Sequence, residues 1–141
     1  MATARPAAGA AKTPGQLFTL VFGAVYVLVG MLGFIDPLVN DQDKLLGIFG
    51  VNGLHNVAHL AVGALLLIGS RTPDTARMVS IVVGAVYLLL GIFGLFGVLI
   101  EDGQALDLNN NAADVVLHFA TAALALYFGT AGSGVRRAAN A

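Results

Sequence analysis

The residues with the most chemical potential in this chain are three histidines and an aspartate, arranged as His55-x3-His59 and Asp114-x3-His118. Side chains four apart on a helix share a face, so each pair presents two donors to one side. Neutral imidazoles with a carboxylate form a nitrogen-and-oxygen set suited to zinc or a similar divalent metal, which makes His55, His59, Asp114 and His118 a candidate metal site. His59 and His118, contributed by different helices, also form a ligand pair for a b-type haem. A third reading is structural: the imidazoles act as interhelical glue, hydrogen-bonded to tyrosine, asparagine or backbone carbonyl. The residue types leave all three open.

The segments that carry these groups are apolar. Of 141 residues, 57% are hydrophobic and 11% charged, too few charges to build an ordinary solvated surface. Four stretches have the length to cross a bilayer: Gln16 to Ile35, Val51 to Gly69, Ala76 to Ile100 and Ala112 to Gly129. The first is read as a retained span, because it is longer than a signal-peptide core and ends in Asp36-Pro37 without a small-residue cleavage site. Residues 1–14 are expected to be a disordered tail and residues 131–141 a basic one. The apolar run Leu45 to Phe49 is predicted as a short interfacial helix.

Arg5, Lys12, Arg71, Arg77, Arg136 and Arg137 fall on the tails and the middle connection, and Lys44 falls on the opposite side. Basic residues are retained on the cytoplasmic face, so both termini are expected there. Cysteine is absent, which excludes disulfides and thiolate chemistry. Ser70, Ser80 and Ser133 sit in no nucleophile-elbow context, and phosphate-loop and nucleic-acid signatures are missing.

The segment Gly23 to Phe34 recurs as Gly84 to Leu95 with seven of twelve positions identical, among them three glycines and the tyrosines Tyr26 and Tyr87. Laying His59 on His118 also lays Asn52 on Asn111 and His55 on Asp114. The predicted fold is therefore all-α: an integral membrane four-helix bundle of two tandem hairpin repeats, about residues 16–69 and 76–129. An even number of spans per repeat gives a pseudo-two-fold axis along the membrane normal. Asn52, Asn56 and Asn111 join the histidines in a polar cluster facing the outer side, with Asn52 and Asn111 placed as N-caps and Asp114 at the third position of a capping box. Tyr26 and His59 lie at similar depth, as do Tyr87 and His118, which predicts a Tyr–His hydrogen bond in each hairpin. The glycines read as a packing seam, within a protomer or between protomers of a homo-oligomer or larger membrane complex.

Leu46 to Leu60 with its His55-Asn56-x2-His59 core, the following Gly63, and the later Asn111-x-Ala113-Asp114-x3-His118 resemble the bacterial membrane family labelled domain of unknown function 4383. The fourth span departs from that family's pattern at Val115-Val116, where an asparagine and an aromatic residue are usual. The resemblance implies a four-span bacterial inner-membrane protein and brings no established activity. The functional expectation is a non-enzymatic structural or accessory protein whose partner is the lipid bilayer. The alternative is a metal or haem b protein using His59 and His118 in redox or ion handling.

Overall fold

Each helix begins where the sequence supplies a cap. In a computed structural model describing residues 11–97 and 108–131, α1 (Pro14–Leu32) starts at a Thr13/Gln16 capping box with proline at the first helical position. Helix α3 (Pro73–Leu95) repeats the device with Thr72 and Thr75, three residues before the predicted start. Helix α2 (Gly53–Gly69) is capped by the Asn52 side chain, which accepts from the His55 N–H. Helix α4 (Ala112–Thr130) opens on a full capping box, with Asn111 accepting from the Asp114 N–H and the Asp114 carboxylate accepting from the Asn111 N–H.

Among the described residues the fold is helical, and α1, α3 and α4 are long and apolar enough to cross a membrane. Helix α2 has 17 residues, about 26 Å at the usual helical rise, slightly short of a ~30 Å hydrocarbon core. The expected tails at 1–10 and 132–141, the acidic connection around Glu101, Asp102 and Asp107, and the end of the third span at 98–100 lie outside the described residues.

Leu45 to Phe49 is not an interfacial helix. Lys44–Leu45 (β1) and Phe49–Gly50 (β2) pair antiparallel, Lys44 opposite Gly50 and Leu45 opposite Phe49. Leu46 and Gly47 adopt φ of 53° and 74°, in the left-handed region that closes hairpins and breaks right-handed helices. Four apolar residues and a glycine carry no period long enough to separate strand from helix, and the turn decides between them.

Helix α1 packs chiefly on α2, and α3 on α4. Glycines set the spacing. A methyl group on Gly23 would lie 2.9 Å from the Leu67 nitrogen, and one on Gly63 would lie 2.7 Å from the Val27 nitrogen. Gly30 faces Leu60 and Gly33 faces Asn56; on the other side Gly84 faces Leu126, Gly91 faces Phe119 and Gly94 faces Val115. The helix ends are tied in matching places, since Gln16 Nε2 donates to the Ser70 carbonyl at 3.0 Å and Arg77 Nε to the Gly129 carbonyl at 3.3 Å. The core between the pairs holds Tyr26, Leu66, Val79, Val83, Tyr87 and Ala122, while Val25, Val57, Val86 and Val116 face outward.

Candidate functional site: a chain of buried rings

Three histidines, two tyrosines and an aspartate are all buried, His55 and Asp114 in the first turns of α2 and α4. His55 and His59, on successive turns of α2, hold their rings 4.5 Å apart. The His59 ring meets Tyr26 of α1 edge-on at 5.2 Å, Tyr26 meets Tyr87 of α3 at 5.5 Å, and Tyr87 meets His118 of α4 at 5.3 Å. Five rings thus run without a break through all four helices. Perpendicular contacts of this kind set a positive ring edge against a π face and add about 0.5–1.5 kcal/mol each to the area they bury.

The predicted Tyr–His pairs meet, but as ring contacts and not as the expected hydrogen bonds. The Tyr26 hydroxyl instead shares a 2.8 Å hydrogen bond with the hydroxyl of Thr121, one turn further along α4 than His118. Thr121 escaped the sequence reading because a lone threonine in an apolar helix ordinarily bonds to its own backbone, as Thr19 does to the Gly15 and Gln16 carbonyls. The Nδ1 atoms of His55, His59 and His118 are buried without a hydrogen-bond partner.

Asp114 does more than cap α4. Its Oδ2 accepts the Asn111 N–H at 2.8 Å and the Gly50 N–H at 2.9 Å, so one carboxylate oxygen joins the helix start to the β-ribbon before α2. Asn111 Nδ2 donates to the Ile48 carbonyl at 2.8 Å, and Asn109 Nδ2 to the Val51 carbonyl at 3.0 Å and the Asp43 carbonyl at 3.3 Å. Asn109 and its buried neighbour Asn110 belong to this polar layer. Both were missed because asparagines in a connection read as turn formers. Asn56 is fully enclosed against Gly33, and Asn52 is occupied in capping.

Among the described residues no three of histidine, aspartate and glutamate converge as a metal-holding group. Of the expected set, His55 and His59 meet edge to face with ring centroids 4.5 Å apart, and Asp114 accepts from backbone N–H groups. His59 and His118, the expected haem ligand pair, each pack edge-on against a tyrosine, Tyr26 and Tyr87 respectively.

A family model described as domain of unknown function 4383 matches residues 16–131, which takes in all four helices and the ribbon. The chain belongs to that family. No curated protein and no solved structure matches it. The DUF4383 region therefore coincides with the whole ring chain and with the Asp114–Gly50 tie. The Val115 side chain packs against Gly94, the place that Asn56 takes against Gly33 in the α1–α2 pair.

Proposed function

We propose that this DUF4383 protein is a non-enzymatic integral membrane protein, structural or accessory in role, whose polar interior fastens two hairpin repeats together. The observation that carries the reading is the unbroken line His55–His59–Tyr26–Tyr87–His118, which takes at least one ring from every helix and uses its polar groups for packing. The duplication is supported by contacts at corresponding positions: Tyr26–His59 with Tyr87–His118, Gly23–Leu67 with Gly84–Leu126, and Gln16–Ser70 with Arg77–Gly129. We infer a four-helix bundle in the bacterial plasma membrane with both termini cytoplasmic. Support for this comes from the family resemblance and from the placement of Arg71 and Arg77 opposite Lys44. Its surroundings are lipid and, in this reading, further copies or a larger membrane complex.

A second reading, metal ligation in ion handling, has one observation in its favour: three buried Nδ1 atoms without partners. Buried polar atoms are ordinarily satisfied, and imidazole nitrogens are common metal ligands. One preparation separates the two. Protein purified in mild detergent is expected to show no Soret band and no stoichiometric metal. A metal that is bound one-to-one and lost in His59→Ala would sink the structural reading. In the same preparation His59→Ala and His118→Ala should each cost about 2 kcal/mol, the range for emptying a well-packed buried site. Thermal melts in which one variant is silent and the other unfolded would contradict the equivalence of the repeats.

A further inference from the structure

The ribbon before α2 has an unusual surface for a polar connection. Leu46 is 62% exposed and Ile48 55% exposed, on either side of Gly47 at the turn. The N–H groups of these three residues are all paired: Leu46 donates to the Leu38 carbonyl at 2.8 Å, Gly47 to Lys44 at 3.2 Å and Ile48 to Leu45 at 3.1 Å. The Ile48 carbonyl is taken by Asn111. Paired backbone N–H groups with outward apolar side chains suit irregular chain to the edge of a low-dielectric medium, where each unsatisfied group costs several kcal/mol.

Depth follows from the same bonds. Ile48 is held to Asn111, the N-cap of α4, and Gly50 to Asp114, one turn inside that helix. The tip therefore stays level with the start of α4 and does not project away from it. Phe34 after α1, Leu54 at the start of α2 and Phe96 after α3 are exposed at this same end, so the apolar surface of the helices continues into the ribbon. Helix α2 is the shortest of the four, and the ribbon extends its apolar surface where the helix stops.

We propose that the Leu46–Ile48 tip is an interfacial anchor, inserting both side chains among lipid acyl chains at the edge of one leaflet. The inference rests on the membrane reading of the helices, and the test separates the two. The chain has no cysteine, so Leu46→Cys, Ile48→Cys, Gln42→Cys and Val25→Cys each carry one thiol for an environment-sensitive fluorophore in phosphatidylcholine–phosphatidylglycerol vesicles. Labels at Leu46 and Ile48 should emit at shorter wavelength than the label at Gln42. They should lose emission to lipids brominated near the headgroup several-fold more than Gln42 does, while staying insensitive to iodide. Iodide quenching at both tip positions equal to that at Gln42 would overturn the anchor. Protection from both quenchers would also overturn it, because the occupant would then be protein, such as a second copy. Val25 lies on the outward face in mid-α1; iodide quenching there would instead defeat the membrane reading itself. Using two tip positions keeps the test decisive if one labelled variant fails to fold.

Discussion

Replacing Asp114 by alanine is expected to lower the stability of the helix assembly by about 3 kcal/mol, from loss of charge-assisted hydrogen bonds and exposure of buried donors to no partner. The residue is almost completely buried, and its Oδ2 is the acceptor for both Gly50 and Asn111. Deletion strands two backbone N–H groups. It also removes the negative charge facing the positive end of α4 and leaves the Asn111–Ile48 bond to tie that helix to the ribbon. Asp114→Asn keeps the shape and one carbonyl oxygen, so it should lose about half as much, because neutral acceptors are roughly half as strong as ionised ones. Reversible unfolding in mixed micelles measures both, and amide exchange at Gly50 should accelerate in the alanine variant. An alanine variant as stable as the parent, with Gly50 still protected, would show that the tie contributes nothing.

The second large effect is steric. Gly63→Ala should cost about 2 kcal/mol, within the usual range for overpacking a close contact. Its added methyl would meet the Val27 nitrogen at 2.7 Å and the Gly23 carbonyl oxygen at 2.9 Å. These are backbone atoms, and they yield only if α1 and α2 separate along the seam. A methyl group on Gly53, at the start of the same helix, would have nothing within 4 Å. Gly53→Ala should therefore be neutral or gain up to about 1 kcal/mol from helix propensity. Melting both variants beside the parent tests the contrast, and equal losses at the two sites would refute it.

These two sites differ in how far the chain announced them. The glycine seam was legible because Gly23, Gly30 and Gly33 recur at the same spacing in α3, and small residues at that spacing bring membrane helices together. Asn52, Asn111 and Asp114 were legible as caps, since capping is a local matter of residue type and offset. The second role of Asp114 was not, because its partner Gly50 lies 64 residues away and a backbone N–H leaves no mark in a sequence. The pairing of tyrosine with histidine followed from equal depth along the helices. Its form did not: Thr121 competes for the Tyr26 hydroxyl across the interface. The early start of α3 was written in Thr72-Pro73-Asp74-Thr75, a capping box with proline at the first helical position.

The Tyr26–Thr121 bond has a consequence for how the two hairpins recognise each other. The residue of α2 matched to Thr121 is Val62, which packs against the core and offers Tyr87 no hydroxyl. Two copies of the first hairpin would therefore set a valine against each tyrosine and lose the bond altogether. Tyr26 and Tyr87 thus sit in unlike surroundings. Thr121→Val in the full chain is expected to lose the bond at a cost of about 1 kcal/mol, read by thermal melts in detergent.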